Sequence, residues 1–265
     1  MFDLQIAGEE GEPRPWVFWT AGGKYLVGSF DGSAFRVSGP PRSAEYGTGY
    51  AAQTFSGDPR GRRIQVSWLR HCVWEGVPFH QQMSFPVELD LVRLPVGLRV
   101  RRRPVETALK LLRRKPALLG PMGQPSPVLL RPGVPLAART SAGGLGVELR
   151  VSVRLAHGAT VSLEVLGQEV ELLVDASLQA SAKAVGDYHP PEGYANSPRT
   201  MPLHIDREGM VEACVLVDRR SLEVFDMAGG ASMSLCGELP HDGVQWRRDV
   251  RIRGTGGDAW VESLE

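Results

Sequence analysis

Aromatic and amide side chains lie close together in the stretch Arg62–Glu106. An alternating strand pattern leads to Trp68, and a loop with two consecutive glutamines, Gln81 and Gln82, follows it. Aromatic faces pack against the apolar C–H side of sugar rings, and amides donate to and accept from hydroxyl groups. The stretch is therefore a candidate sugar-binding surface. The alternatives are that its aromatic residues belong to an ordinary core and that the glutamines only hold the loop in place.

A sugar site becomes a retaining glycosidase only with two carboxyl groups about 5–5.5 Å apart, one ionised and one protonated. Three carboxylates of the N-terminal part are candidates, namely Glu75 in the loop after Trp68, Asp31 and Asp58. Asp31 precedes a glycine and Asp58 a proline, where aspartate usually accepts hydrogen bonds within a turn. The sequence does not favour a catalytic role for any of the three.

Motifs for other chemistry are missing from the sequence. The six histidines have no HExxH spacing, and no nucleophile elbow, phosphate-binding loop or dinucleotide fingerprint occurs. Residues 204 and 206, a histidine and an aspartate, have the character of a surface pair. The three cysteines, Cys72, Cys214 and Cys236, are too few and too scattered to predict a disulfide framework. We therefore expect neither a metal nor another cofactor.

Charge and hydropathy exclude further classes of partner. The 30 basic residues balance the 30 acidic ones, so no overall charge attracts nucleic acid or a membrane surface. No stretch approaches the roughly 18 apolar residues of a membrane span, and the N-terminus lacks the basic and apolar segments of a signal peptide. A cytoplasmic protein is the default prediction, although a longer parent chain could carry an export signal.

The elements that would position these residues are short strands. Apolar runs alternate with clusters of Gly, Pro, Asp and Ser at intervals of roughly ten residues, which is typical of an all-β protein. The predicted strands of the first part are 16–20, 24–30, 34–37, 51–55, 63–69, 87–94 and 98–103, and those of the second are 147–155, 161–165, 211–217, 222–226 and 231–236. A leucine-rich run at 105–114 predicts the one short helix, and residues 116–140, rich in Pro, Gly and Ser, predict a boundary.

Five blocks of the sequence, taken in order, resemble the C-terminal half of glycoside hydrolase family 32, which contains invertases, levanases and inulinases. The blocks are GKYLVGSFDGSAF (23–35), GYAAQTFS (49–56), RRIQVSWLR (62–70), GVPFHQQMSFPVEL (76–89) and VDRRSLEVFDMAGG (217–230). The resemblance implies the last blades of a five-bladed β-propeller at 1–104, a short helix and linker at 105–126, and an antiparallel β-sandwich at 127–265. It also implies hydrolysis of β-fructofuranosidic bonds in levan, inulin or sucrose.

The catalytic motifs of that family do not occur in this sequence. The family uses a nucleophilic Asp in a WMNDPNG-like motif, an RDP motif that holds the fructose hydroxyls and an acid/base Glu in an EC motif. The opening MFDLQIAG resembles the stretch that follows the EC motif. The resemblance thus predicts that the chain starts downstream of the acid/base Glu and that an upstream segment carries the catalytic carboxylates.

Two residues of the resembling blocks match sugar-facing positions of the family. Tyr50 matches the tyrosine of a Tyr-Ala block near the acid/base, and Trp68 matches the tryptophan of a Gly-Trp strand that lines the pocket. Ser67 stands where the family has glycine, so the sequence leaves open whether the Trp68 strand matches the family's Gly-Trp strand. The resemblance implies a substrate-binding role for Tyr50 and Trp68 and a carbohydrate of the fructan or sucrose type as ligand.

The sequence leaves three interpretations of the function open. The chain is a portion of a fructan hydrolase that is inactive alone, a non-catalytic β protein that binds a carbohydrate or a partner, or a self-contained glycosidase with relocated carboxylates such as Glu75. The first is the expectation that the resemblance favours.

Overall fold

Two small antiparallel sheets form the N-terminal part of the protein. The computed structural model describes residues 1–70, 72, 78–113, 127–139, 146–186, 188, 199–218, 220–236 and 249–264. Sheet 1 contains β1 (Phe2–Asp3), β2 (Trp16–Trp19), β3 (Lys24–Phe30), β4 (Phe35–Val37) and β5 (Arg42–Ser43). Sheet 2 contains β6 (Gly49–Thr54), β7 (Arg63–Leu69), β8 (Gln82–Met83), β9 (Val87–Leu94) and β10 (Gly97–Pro104). Glycine turns at positive φ, such as Gly23 between β2 and β3, connect neighbouring strands.

Sheets 1 and 2 pack face to face through their alternating apolar residues. The strands follow the order β1-β2-β3-β4 in sheet 1 and β10-β9-β7-β6 in sheet 2, with β5 beside β3 and β8 beside β7. Val17 and Tyr25 of sheet 1 share a core cluster with Leu91 and Val100 of sheet 2. The Val100 N–H also donates to the Tyr25 hydroxyl at 3.1 Å, so the two sheets are joined by a buried hydrogen bond as well as by apolar contact.

One short helix follows sheet 2. Helix α1 (Glu106–Leu112) confirms the predicted helical run and buries Leu109, while Leu111 and Leu112 stay exposed. Arg113 after the helix makes ion pairs with both Glu106 and Glu148, at 2.6 Å each. These pairs connect the helix to the second half of the chain. Among the described residues, no helix combines the length and the apolar character that crossing a membrane requires.

Twelve further strands form two six-stranded sheets. The strands are β11 (Val128–Leu129), β12 (Leu136–Arg139), β13 (Gly146–Leu155), β14 (Thr160–Val165), β15 (Gln168–Val174), β16 (Ala180–Val185), β17 (Thr200–Leu203), β18 (Met210–Asp218), β19 (Ser221–Asp226), β20 (Ser232–Cys236), β21 (Asp249–Thr255) and β22 (Ala259–Leu264). Sheet 3 has the order β11-β22-β13-β18-β19-β20, and sheet 4 has the order β12-β21-β14-β15-β16-β17. Their inner faces share one large core cluster, in which Val151 and Val215 of sheet 3 pack with Leu163 and Leu172 of sheet 4.

Sheet 3 is the middle layer of the molecule. Every residue of β19 is buried, because one face points into the sandwich core and the other towards sheets 1 and 2. Leu222 and Val224 belong to the sandwich core, whereas Phe225 belongs to the cluster of sheets 1 and 2. The protein is thus all-β, with blade-like sheets followed by an antiparallel sandwich as expected. The limits of the predicted domains, 1–104, 105–126 and 127–265, stay predictions.

A segment between β5 and β6 pairs with the edge of sheet 3. Glu45 forms a parallel bridge with Ser232 of β20, and the N–H groups of Tyr46 and Thr48 donate to the Ser232 and Ser234 carbonyls at 2.7 and 2.8 Å. Residues 44–48, which we call the edge segment, therefore cover the open edge of β20. The N-terminal sheets and the sandwich share backbone hydrogen bonds there.

A disulfide joins the same two parts of the molecule, contrary to the expectation from the cysteine count. Cys72, after β7, is bonded to Cys236 at the end of β20, with 5.6 Å between the Cα atoms and a sequence separation of 164. Spacing in the sequence could not indicate this pair, because only the packing of sheet 2 on sheet 3 brings the two cysteines together. Cys214 is a free, buried cysteine.

Candidate functional site

The two predicted sugar-facing residues, Tyr50 and Trp68, lie directly opposite each other on β6 and β7. Their ring centroids are 6.2 Å apart, and the rings meet edge to face at 67°. Trp68 is 37% exposed and Tyr50 is half-buried, so part of each ring faces solvent. A partly exposed pair of aromatic rings, set edge to face, is a surface on which the C–H face of a sugar could pack.

A β-bulge lies next to this aromatic pair. The pairing of β6 with β7 shifts between Tyr50 and Gln53, so that two residues of β6 oppose one residue of β7. Ala51 in the bulge has φ +48°, a conformation that alanine rarely adopts, and its N–H donates to the Ala21 carbonyl at 2.8 Å. The bulge keeps Tyr50 and Gln53 on the same face of the strand as their partners on β7.

Further side chains extend the surface around the aromatic pair. The Arg70 guanidinium lies 4.1 Å from the centre of the Tyr50 ring, within the range of a cation–π contact. Met83 of β8 is the strand partner of Trp68 and is 55% exposed. We call Tyr50, Trp68, Arg70 and Met83 the aromatic surface. It is apolar with one cationic edge.

Ser67, which precedes Trp68, has hydrogen-bond partners for its side chain and for both of its backbone groups. Its side chain is buried, its N–H donates to Ser84 Oγ at 3.0 Å, and its carbonyl accepts from the Ser84 N–H at 2.8 Å. Its hydroxyl accepts a hydrogen bond from Arg102 Nη2 at 3.2 Å. The polar groups of Ser67 therefore all have partners at this strand position, while the match of the Trp68 strand to the family's Gly-Trp strand stays a prediction.

A buried ion pair lies beneath the aromatic surface. Arg102 of β10 binds Glu45 of the edge segment, and both side chains are almost completely buried. Arg102 Nη1 also donates to the Ser232 hydroxyl, and the Ser234 N–H donates to the free oxygen of Glu45 at 3.0 Å. Glu223 of β19 completes the group by accepting from the Ser234 hydroxyl at 3.1 Å. We call Glu45, Ser67, Arg102, Glu223 and the two serines of β20 the polar cluster.

No pattern in the sequence points to the polar cluster. Its members come from the edge segment and from β7, β10, β19 and β20, and the ion pair alone spans 57 residues. In a strand pattern, a glutamate or an arginine is normally assigned to the solvent-exposed face, so the sequence does not distinguish these buried residues from exposed ones. Burial identifies them, because Arg102 lies on the buried face of β10 and every residue of β19 is buried, and that burial is a property of the layered packing.

Two carboxyl groups of β19 have raised pKa values. Burial raises the pKa of Glu223 to about 7, although the Phe85 N–H, donating at 2.8 Å, and Arg102 act to lower it. Burial also raises the pKa of Asp226 to about 6, against hydrogen bonds from the Gly229, His204 and Ala228 N–H groups. Glu223 lies in the contact between sheet 3 and the N-terminal sheets, so its protonation affects the packing of these layers. Asp226 lies on the opposite face of β19, where it accepts from the His204 N–H that follows β17 of sheet 4.

Backbone contacts hold the two glutamines of the candidate loop in place. Gln81 has φ +66°, and its N–H donates to the Cys72 carbonyl at 2.7 Å. Gln82 opens β8 and pairs with Leu69. These positions agree with a role in holding the loop against β7.

The candidate carboxylates Asp31 and Asp58 serve turns, as their sequence context predicts. Asp31 accepts from the N–H groups of Ser33 and Ala34 at 3.0 and 2.8 Å. Asp58 binds the Arg62 guanidinium at 2.9 Å, and the hydrogen bonds of the Arg62 side chain lower the pKa of Asp58 to about 2. A carboxylate ionised and bound in this way does not suit acid catalysis. Glu75 lies outside the described residues. Within the described ranges, no group of three or more His, Cys, Asp or Glu side chains is arranged to hold a metal ion.

Comparisons with known proteins bear on the fold of the chain. No family model matches the chain. A levanase of Bacillus subtilis (strain 168) is 29% identical over 128 residues, which covers 40% of this chain and 18% of the levanase. The crystal structure of an exo-inulinase from Aspergillus awamori superposes on 99% of this chain and 54% of its own length, with a TM-score of 0.71 and 19% identity. A fructofuranosidase from Schwanniomyces occidentalis, solved in complex with fructose, superposes on 99% of this chain and 58% of its own, with a TM-score of 0.70 and 14% identity.

The chain spans about half the length of these solved structures and less than a fifth of the levanase. The structural likeness, at such low identity, establishes the shared fold of blades and sandwich. The similarity to the levanase is independent of that fold comparison and agrees with it. Together they relate this chain to the C-terminal region of the glycoside hydrolase family 32 enzymes.

Proposed function

We propose that the chain is the C-terminal portion of a fructan-type glycoside hydrolase and supplies the aromatic wall of a fructose-binding pocket. The observation that carries the proposal is the solvent-facing Tyr50–Trp68 pair, fixed next to a strained bulge on a propeller-like sheet. Complexes of related enzymes with fructose and with 1-kestose support a carbohydrate of this class as the ligand. Levan, inulin and sucrose are the substrates to test.

The proposal assigns the reacting carboxylates to an upstream segment with further blades. A surface suited to such a segment is the outer face of sheet 1, where Trp16 packs on Phe30 and Phe18 on Phe35 at 5.1 and 6.0 Å between ring centroids. Phe18 is 42% exposed on this face. A neighbouring β-sheet would bury these rings, and burial of aromatic area is strongly favourable.

The test is hydrolysis with and without the upstream segment. We expect no release of reducing sugar from levan, inulin or sucrose by the 265-residue chain alone, because loss of a whole catalytic constellation removes many orders of magnitude in rate. Activity should return when the chain is produced together with a segment that carries the three motifs. Turnover by the isolated chain would contradict the proposal and return attention to Glu75.

A variant tests the sugar-facing role in the reconstituted enzyme. Replacing Trp68 by Ala should lower kcat/KM on the order of tenfold or more, because the sugar loses an aromatic packing surface. Trp260→Ala is the matched control, since Trp260 lies on β22 of the sandwich. Equal losses in both variants would deny Trp68 a specific role. Tight binding of fructan by the isolated chain, together with no activity after reconstitution, would favour the non-catalytic binding protein instead.

A further inference from the structure

We infer that Arg102 is a positioning residue for the aromatic surface and that it acts through Ser67. The inference deepens the proposed function and rests on it, because the surface being positioned is the proposed sugar wall. It concerns residues outside the pocket, in a strand that does not itself carry Tyr50 or Trp68.

The guanidinium of Arg102 connects three separate elements. One terminal nitrogen binds Glu45 of the edge segment and the Ser232 hydroxyl of β20, and the other binds the Ser67 hydroxyl of β7 at 3.2 Å. The planar fork of arginine can direct bonds to several acceptors at fixed angles, which lysine cannot do. Arg102 thereby fixes β7 relative to sheet 3.

The ion pair touches the residue before each member of the aromatic pair. Ser67 directly precedes Trp68 and accepts from Arg102, as described above. Gly49 directly precedes Tyr50 and lies against Glu45, since a Cβ on Gly49 would come within 2.8 Å of the Glu45 Cδ atom. In a strand, neighbouring side chains point to opposite faces, so a side chain anchored below fixes the orientation of the next one above. The Glu45–Arg102 pair is therefore placed to set both rings at once.

Net stabilisation of the fold does not explain why the Glu45–Arg102 ion pair is buried here. A buried ion pair contributes little net stability compared with an apolar pair of the same volume, although removing one partner is costly. Fixing a unique arrangement is the better supported use of such a pair. The polar cluster then holds sheet 2 in register with sheet 3 while leaving Trp68 exposed.

Fluorine NMR of the chain labelled with 5-fluorotryptophan tests the inference. The chain has six tryptophans, and comparison with Trp68→Phe, Trp19→Phe and Trp260→Phe assigns the three resonances that are needed. Ser67→Ala should displace the Trp68 resonance and leave that of Trp260 in place. Ser234→Ala, which removes a hydroxyl from the same cluster without touching β7, should lower the unfolding midpoint but leave the Trp68 resonance in place. Displacement of Trp68 by Ser234→Ala as large as that by Ser67→Ala would overturn the inference.

A double-mutant cycle separates positioning from a local effect of the neighbouring residue. Arg102→Lys keeps the charge beside Glu45 and should displace Trp68 in the wild-type background but not in the Ser67→Ala background, because the path through Ser67 is already broken. The Trp19 ring lies 5.8 Å from the Arg102 guanidinium carbon, so the Trp19 resonance reports the replacement directly. Equal displacement of Trp68 in both backgrounds would show that Arg102 does not act through Ser67. Should Arg102→Lys fail to fold, the comparison of Ser67→Ala with Ser234→Ala decides alone.

The test of the positioning role and the test of the proposed function can fail separately. The cycle uses no sugar, so it reads the positioning of Trp68 directly. Adding fructo-oligosaccharides to the labelled wild-type chain tests the sugar-facing role in a separate step. A Trp68 resonance that responds to the cycle but not to the sugar would support the positioning role and contradict the proposed ligand.

Discussion

At the scale of single residues, the molecule places polar side chains where a β protein normally has apolar ones. Ser67 and Gln65 are both completely buried on the inner face of β7. Ser67 has hydrogen-bond partners for its hydroxyl and both backbone groups, whereas neither amide atom of Gln65 has a partner among the described residues. A buried polar group stabilises the fold only when it has a hydrogen-bond partner, so Ser67 and Gln65 have opposite effects on stability.

Gln65→Leu is therefore expected to stabilise the protein. Replacing an unsatisfied buried amide by an apolar side chain of similar volume should raise the free energy of unfolding by about 1–2 kcal/mol. Urea unfolding followed by circular dichroism measures the change. Gln53→Leu, at an exposed position of β6, is the control and should change stability by less than about 0.5 kcal/mol. A loss of stability in Gln65→Leu would mean that its amide is satisfied in solution.

At the scale of elements, the edge segment connects the N-terminal sheets to sheet 3. It runs parallel to β20 and covers an edge that would otherwise offer unpaired backbone groups. Gly47 makes the close approach possible, because it has φ +147° and a Cβ there would clash with the Ser234 carbonyl. Glu45 then projects from the same segment into the polar cluster. One short segment thus supplies both the backbone pairing and the ion pair.

Gly47→Ala should weaken this connection. We expect the free energy of unfolding to fall by about 1–3 kcal/mol, since the added methyl group must push apart two paired backbones. Gly57→Ala is the matched control. Gly57 also has positive φ, but a Cβ there meets nothing within 4 Å, so only the backbone strain of about 1 kcal/mol remains. Equal losses in the two variants would deny the close contact with β20.

Strands with clear alternation could be predicted from the sequence, and contacts between distant strands could not. β3 (Lys24–Phe30), β7 (Arg63–Leu69) and β9 (Val87–Leu94) have the predicted limits, because their apolar residues alternate between turn residues. β16 (Ala180–Val185) was missed, since alanine has low β propensity even where it is buried. The polar cluster and the disulfide were missed because they depend on how sheets 2 and 3 pack.

At the scale of the whole molecule, covalent and ionic contacts hold sheet 3 to the N-terminal sheets. The Cys72–Cys236 disulfide closes a loop with a sequence separation of 164 residues. Thr48 of the edge segment lies beside Cys236, with 3.8 Å between its hydroxyl and the sulfur. The disulfide, the edge segment and the polar cluster therefore lie along one boundary, and the loss of any one of them should loosen the same contact.

Removal of the disulfide should lower the stability of the whole chain. Cys236→Ala should cost about 2–5 kcal/mol of unfolding free energy, because the denatured chain gains freedom when a long loop is opened. Thermal unfolding with and without dithiothreitol is the measurement. The reductant should lower the unfolding midpoint of the wild-type chain and leave that of Cys236→Ala unchanged. A wild-type midpoint that does not respond would contradict the cross-link.

The raised pKa values on β19 give the stability of the molecule a definite dependence on pH. Glu223 faces Glu45 and Arg102, and its pKa is raised by burial from 4.5 to about 7, while that of Asp226 is raised from 3.8 to about 6. A carboxyl group whose pKa is higher in the folded state binds its proton more tightly there. The stability that these groups contribute is complete below their unfolded pKa values and is lost as the pH rises through the folded ones.

We therefore expect the free energy of unfolding to fall between about pH 5 and about pH 8, by ~2–3 kcal/mol for Glu223 alone. Glu223→Gln keeps an uncharged polar group beside Ser234 and should remove the part of this fall that Glu223 contributes, leaving the part that Asp226 contributes, so that the variant equals or exceeds the wild type at the upper end. Glu212→Gln, at an exposed position of β18, should keep the wild-type slope. Urea unfolding across the pH range measures all three chains. A slope as steep in Glu223→Gln as in the wild type would mean that Glu223 is ionised throughout this range, with Arg102 neutralising it together with Glu45, and that the packing of sheet 3 on sheet 2 does not depend on its proton.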